Sequence, residues 1–226
     1  MKLTYYGHSC FLLETGGSRL LFDPFIRPNP LAKDVDVDAI EADYILLSHG
    51  HADHVADAEE IGRRTGAGLI GMFEVLSWFE AKGLKAELKM NLGGKVKLPF
   101  GTVKMVPAAH SSSMPDGSYG GVAGGFVIES EGKTLYFAGD TALSYDMKLI
   151  GELHDVDVAL LPVGDHFTMG VADALVAADW LNCFRIIGMH YDTFPAIDLD
   201  DAKAMDQAMH AGKELVLLKI GQTINL

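Results

Sequence analysis

The feature that most constrains this chain is that it repeats itself. CFLLETGGSRLLFD at residues 10–23 returns, with its apolar and turn positions kept, as GFVIESEGKTLYFA at 125–138. DYILLSHG at 43–50 aligns with DVALLPVG at 157–164, VADA at 55–58 recurs at 171–174, and LIGM at 69–72 matches IIGM at 186–189. Four matches in one order at nearly one spacing are the signature of a duplicated unit. Each half must then supply the same run of strands and helices, and each must bury its apolar strands. The first half opens with strand-like runs at Lys2–Tyr6, Phe11–Thr15 and Arg19–Asp23, the last two joined by Gly16–Gly17. Apolar strands at Tyr44–Leu47 and Leu69–Gly71 then alternate with helices at Ala56–Arg64 and Phe73–Lys82. Strands follow at Ala86–Met90, Val96–Leu98, Thr102–Pro107, Phe126–Ser130 and Thr134–Ala138. The rest alternates: helix Tyr145–Leu153, strand Asp157–Val163, helix Val171–Leu181, strand Ile186–Met189, helix Leu199–Ala211 and strand Glu214–Lys219. This predicts an α+β architecture of two similar halves, approximately 1–110 and 111–226. Their sheets pack face to face with helices outside. No linker or composition break divides them, so one domain over 1–226 is expected.

Composition narrows the class. Hydrophobic residues make up 49% and charged residues 22%, the balance of an ordinary soluble domain. Eighteen Lys and Arg against 31 Asp and Glu leave a net charge of −13. Nucleic-acid backbones and anionic membrane surfaces recruit cationic patches, so neither is expected as a partner. Cys10 and Cys183 stand alone, which offers no disulfide framework and points to the cytoplasm. The N-terminus alternates like a strand, unlike a signal peptide. No apolar run reaches the roughly 18–20 residues of a membrane span.

The chemistry concentrates in His49-Gly50-His51-Ala52-Asp53-His54, directly after an apolar strand. Three imidazoles and a carboxylate in a loop with Gly and Ala can turn to one point, offering the nitrogen and oxygen ligands that zinc, manganese or iron takes. Capping the following helix would need one such residue, not four. The repeat isolates these side chains: His49 and His51 align with Val163 and Asp165, and His190 with Phe73. The scaffold recurs while the ligands do not. His110, Asp140 and His190 each end an apolar run, at Met105–His110, Phe137–Asp140 and Ile186–His190, and join the candidates. The Gly-rich stretch 116–125 lacks the G-x-x-x-x-G-K-[ST] pattern and leads into a strand, so it is read as a lid or turn beside the site.

With these residues in hand, the chain resembles the metallo-β-lactamase fold superfamily: H-x-H-x-D-H, a later His, a Gly-Asp-Thr and a final His stand in that order over 49–190. More narrowly it is similar to uncharacterised metal-dependent hydrolases related to the ascorbate-phosphate lactonases, through GHSCFLLE, LLFDPFI, GDTALSYDM, HFTMG and MHYDTFP. The resemblance implies a four-layer αββα sandwich and a lactonase-like dinuclear hydrolase. Carried over by position, His49, His51 and His110 would hold one divalent metal, Asp53, His54 and His190 a second, and Asp140 would bridge them. Zinc is expected first, with manganese, iron or nickel as alternatives. Two such ions share a water and lower its pKa, with Asp53 orienting it and moving its proton. His8, in Gly7-His8-Ser9 after the first strand and shared with those relatives, is expected to face the site as a proton donor or supporting residue. His166, where those relatives carry Asn, together with Asp165, Tyr191 and Arg27, are candidate contacts to a small-molecule substrate. Arg27 and the nearby Lys33 are candidate holders of an anionic group. A homo-oligomer is the expected assembly.

The leading expectation is cleavage of an ester, lactone or phosphoester of a small metabolite. A nuclease acting on RNA or DNA would use the same metals but would be expected to add a basic exosite. An oxygen-reducing di-iron protein would replace one motif His with a carboxylate. A non-catalytic metal-binding module would be expected to have lost ligands, and none is lost here.

Overall fold

The turn at Gly16–Gly17 places two successive residues in the left-handed region (φ 55° and 75°), the conformation of a tight hairpin that glycine alone adopts without strain. It folds β2 (Cys10–Thr15) antiparallel onto β3 (Ser18–Phe22), pairing Phe11 with Phe22. The computed structural model describes residues 1–226 and extends this hairpin into a seven-stranded sheet. The flanking strands are β1 (Lys2–Gly7), β4 (Tyr44–Leu47), β5 (Gly68–Met72) and β6 (Ala86–Met90). A second seven-stranded sheet holds β7 (Lys95–Leu98), β8 (Gly101–Pro107), β9 (Gly124–Ser130), β10 (Lys133–Phe137), β11 (Val158–Pro162), β12 (Arg185–Met189) and β13 (Glu214–Val216). The last strand, β14 (Thr223–Asn225), crosses back and pairs with β1.

The two sheets match strand for strand. The first runs β14-β1-β2-β3-β4-β5-β6 and the second β7-β8-β9-β10-β11-β12-β13. In each, antiparallel pairing over the first four strands gives way to parallel pairing over the last four. Residues that align in the sequence repeat touch each other in space. Phe22 and Phe137 stack with ring centroids 4.8 Å apart, and the crossed pairs Phe11–Phe137 and Phe22–Phe126 lie at 6.5 and 6.4 Å. Thr15 Oγ1 and Ser130 Oγ share a hydrogen bond of 2.8 Å. Such reciprocal contacts are those of a local two-fold axis between the sheets, and the duplicated apolar strands bury themselves against their own copies.

The boundary between halves falls at residues 91–94, not near 110. β7 and β8 pair with β9 and so belong to the second sheet. The strand read at Glu214–Lys219 stops at Val216, and β14, which lies beyond it, has no apolar run to announce it. Helices α2 (Ala58–Thr65), α3 (Phe73–Ala81), α4 (Asp146–Leu153), α5 (Val171–Trp180) and α6 (Asp201–His210) flank the sheets. α2 starts two residues later than its sequence pattern, because Ala52–Val55 form a separate short helix, α1, inside the histidine motif. No helix is long and apolar enough to cross a membrane.

Candidate metal centre

The candidate ligands all follow the C-terminal ends of strands, on one rim of the sandwich, the position at which α/β sheets present their sites. β4 is apolar and delivers Ser48-His49-Gly50-His51 into a loop; α1 then adds Asp53 and His54 within a single turn. Gly50 is needed here: a Cβ would lie 2.6 Å from Met114 Sδ and 2.9 Å from Ser113 O. β8 leads to His110, β10 through Gly139 to Asp140, and β12 to His190. A side chain on Gly139 would collide with Gly124 O at 2.7 Å and Ser48 Cβ at 2.9 Å.

These loops gather two clusters of donor atoms, His49–His51–His110 and His8–Asp53–His54–His190, each with its donor atoms within 4.8 Å of one another. Asp140 Oδ2 reaches toward both, 3.6 Å from His110 Nε2, 3.3 Å from His54 Nε2 and 3.0 Å from His190 Nε2. Asp53 Oδ2 lies 3.9 Å from Nε2 of both His54 and His190. Ligands about 2.0–2.2 Å from a tetrahedral ion stand roughly 3.4 Å apart, so these separations suit donors that share metals.

The protonation pattern leads to the same donors. Ser48 gives its single hydroxyl proton to Asp23 Oδ2 at 2.5 Å, so the 2.9 Å contact with His49 Nδ1 makes that nitrogen the donor. His54 Nδ1 donates to Asp23 Oδ2 at 2.8 Å. Both rings therefore turn Nε2 away from Asp23 and Ser48, and each Nε2 is buried with no hydrogen-bond partner, as is Asp140 Oδ1. Against the cost of burial, the Asp140 and Asp23 carboxylates keep the His54 ring protonated, a proton that a metal ion would displace. Unpaired buried polar atoms are costly, and three of them converging among histidines fit divalent metal ions. Burial by itself would raise the Asp140 and Asp53 carboxyls. The charge of His54 and the bonding from His190 hold Asp140 well below the usual range, and the His8 bond and His54 charge do the same for Asp53.

Asp23 was missed by sequence reasoning. It directly follows β3, and the sequence marks it only as the last residue of the strand-like run Arg19–Asp23. Its carboxylate accepts the Ser48 N–H at 2.8 Å as well as the Ser48 hydroxyl and His54, which ties a ligand from each cluster to one fully buried group. His8, also buried, is part of the second cluster. Burial pulls its imidazole down to about 4 against the opposing pull of Asp53. The neutral ring donates from Nε2 to Asp53 Oδ2 at 3.1 Å and accepts from Thr193 Oγ1 at Nδ1, 2.9 Å away.

The ligands open onto a cavity of about 700 Å³ lined by His51, Asp53, His110, Ser111, Asp140, His190, Phe167 and the 194–196 segment. The other substrate candidates are placed elsewhere. Arg27 lies outside the lining, with its guanidinium held by Glu60 and by Asp38 at 2.7 Å. Tyr191 is buried and turns its hydroxyl to Leu218 O at 3.4 Å. Asp165 faces a separate cleft between α5 and α6. His166 is exposed and packs edge-on against Phe167, with centroids 4.4 Å apart. Lys33 is likewise not in the lining. The Gly-rich stretch is a braced turn: Asp116 accepts from Trp78 Nε1 at 2.7 Å, and Ser112 Oγ accepts from Gly50 N at 3.2 Å. Of the loop from Ser111 to 125, Ser111 alone reaches the cavity lining. Six non-glycine residues around the rim adopt left-handed backbone, His8, Asp23, Asp165, His166, His190 and Asp192, the clustering of strain found at functional sites.

Residues 2–190 match the family model described as "Beta-lactamase superfamily domain". A "UPF0173 metal-dependent hydrolase" of Methylacidiphilum infernorum is 52% identical over 226 residues, covering 100% of both chains. A relative of the same description from Christiangramia forsetii is 51% identical, again over 100% of both. Among solved structures, Igni18, "a novel metallo hydrolase" of the hyperthermophilic archaeon Ignicoccus hospitalis, superposes with a TM-score of 0.89 at 37% identity, over 99% of this chain and 97% of that one.

Proposed function

Because the chain belongs to the β-lactamase superfamily, among the UPF0173 metal-dependent hydrolases, we propose that it hydrolyses an ester, lactone or phosphoester bond of a small molecule with two divalent metals. The observation that carries this reading is the gathering of three unpartnered buried ligand atoms, His49 Nε2, His54 Nε2 and Asp140 Oδ1, among the histidine and aspartate side chains that line a solvent-reaching cavity. In this reading His49, His51 and His110 hold one ion, Asp53, His54 and His190 hold the other, and Asp140 serves both. When bound, such ions polarise the attacked oxygen and acidify water near neutrality.

The remaining work falls to the chain's own groups. Asp23 fixes the tautomers of His49 and His54, so that each offers Nε2 and not Nδ1. The neutral His8 holds Asp53 ionised and oriented by its Nε2–H. Asp53 faces the cavity, and its carboxylate takes the proton of the attacking water and returns it to the leaving oxygen. A nucleic-acid substrate finds no support, since no Lys or Arg lines the cavity and the chain carries a net charge of −13.

The test is a panel of esters, lactones, thioesters and phosphodiesters assayed with the native protein and with His51→Ala. The substitution is expected to remove hydrolysis to well beyond the roughly 10–100-fold lost with an outer supporting group, while circular dichroism stays unchanged. An unaltered rate in His51→Ala contradicts the proposal.

A further inference from the structure

The wall of the cavity opposite the ligands is apolar, and its origin is specific. The loop after β11, Val163-Gly164-Asp165-His166-Phe167-Thr168, is the counterpart of the His49–His54 loop of the other half and is two residues longer before the recurring VADA. The first copy's loop contributes Asp53 and the second copy's Phe167, and both line the same cavity. Phe167 is 54% exposed although large and apolar. It is held outward by a tight turn: Asp165 and His166 are left-handed at φ 61° and 57°, and Phe167 N donates to Asp165 O at 2.6 Å. The turn is anchored at both ends, by Asp165 N to Met169 O at 3.1 Å and by Met169 N to Thr141 O at 2.9 Å, next to Asp140. Two successive non-glycine left-handed residues are strained, and here they aim a ring at the site.

A second ring faces the cavity from the loop after β12. Phe194 packs edge-on against His8, with centroids 5.7 Å apart, and lies tilted against Phe25 at 6.4 Å, and it leads into Pro195 and Ala196, which also line the cavity. Apart from the ligand residues and Ser111, the lining is these four apolar residues. No Lys or Arg is in the lining to pair with a carboxylate or phosphate on the non-reacting part of a substrate, and Arg27, outside it, is engaged by Glu60 and Asp38. Rigid aromatic surface beside a few polar groups is how small-molecule sites bind uncharged apolar groups.

We infer that Phe167 and Phe194 form an aromatic clamp that selects substrates whose scissile bond carries an uncharged aryl group and disfavours those with an anionic group beyond that bond. This rests on the proposed hydrolase activity and names its substrate class.

The experiment measures kcat and KM for methyl acetate, phenyl acetate and 4-carboxyphenyl acetate with the native protein, Phe167→Ala and Phe194→Ala. The native protein is expected to favour phenyl acetate over both others. Each variant should raise KM for phenyl acetate about tenfold, the scale of one lost apolar pocket contact, and leave methyl acetate unchanged. Preference for the carboxylated ester, or equal KM shifts for all three, overturns the clamp. Phe167 is exposed, so its removal does not threaten the fold. If no ester is hydrolysed, the activity proposal fails, and the clamp is judged separately by ligand-observed NMR with neutral benzyl alcohol. Binding lost in Phe167→Ala supports the clamp; binding equal in both proteins overturns it.

Discussion

Two loops in matching places of the two halves do different work. His49–His54 follows β4 and carries four candidate ligands; 163–168 follows β11, on the same sheet position, and carries none. The strands beneath them, β4 and β11, hold matching places in the two sheets, and their neighbours β3 and β10 meet through Phe22 and Phe137 about a local two-fold axis. The difference teaches how a duplicated scaffold acquires a site. Strand pairing and the apolar interior tolerate no asymmetry without loss of packing, so they stay matched. Strand-end loops carry no packing obligation, so one copy can hold ligands while the other supplies Phe167. The same division appears one strand earlier, where Asp23 directly follows β3 and its twin Ala138 directly follows β10.

The comparison can be broken first in the core. Phe22→Ala and Phe137→Ala should each cost about 3–5 kcal/mol, to a similar extent, and the double variant should cost clearly less than their sum because the rings share one contact. Urea unfolding of the three proteins checks this, and strongly unequal single losses would mean that the halves are not energetic equivalents. Next comes the loop chemistry. Asp23→Asn should weaken metal binding about 10–100-fold at both proposed ions together, since Asp23 supports His49 through Ser48 and His54 directly. Competition titration with a chelator would show either a joint loss or, against the account, a loss confined to one ion.

The smallest effect concerns another pair of twins, Glu14 and Glu129. The Lys95 ammonium above all, with the His154 and Thr102 side chains, holds Glu129 at about 2, whereas Glu14 meets Lys2 alone at 3.3 Å. A carboxyl depressed in the folded state stabilises fully above its unfolded value near 4.3 and loses that contribution as pH falls toward 2. Glu129→Gln should therefore lower stability at pH 7 by no more than about 1 kcal/mol, given its partial exposure. The difference from the native protein should close below pH 3. Glu14→Gln should change little at either pH, as denaturation at both values would reveal.

The duplication was legible because apolar strand residues are forced into register, so the offset between Phe22 and Phe137 survives in the sequence. The edges were not. β7 and β14 are short: β14 joins its sheet through a partner at the other end of the chain, Asn225 with Lys2, and β7, a hairpin with β8, goes to whichever sheet takes β8, which is settled by β8 pairing with β9. The candidate ligands stood out as polar residues ending apolar runs, and that same signal marks Asp23, which was passed over because a strand-ending Asp-Pro also reads as a turn. Arg27 shows the converse failure. A sequence displays a charge but not the Glu60 carboxylate, 33 residues later, that occupies it. Phe167 was hidden by ordinary expectation, since an exposed ring in a polar loop has meaning only once the facing wall is known.

The central claim, that one half's loops together with strand-end residues of the other hold two metals, is tested most directly by the metal content of the purified native chain. Elemental analysis of protein exchanged into metal-free buffer should find two divalent ions per chain, falling together in Asp23→Asn. One ion per chain, or none after reconstitution with zinc or manganese, would contradict it.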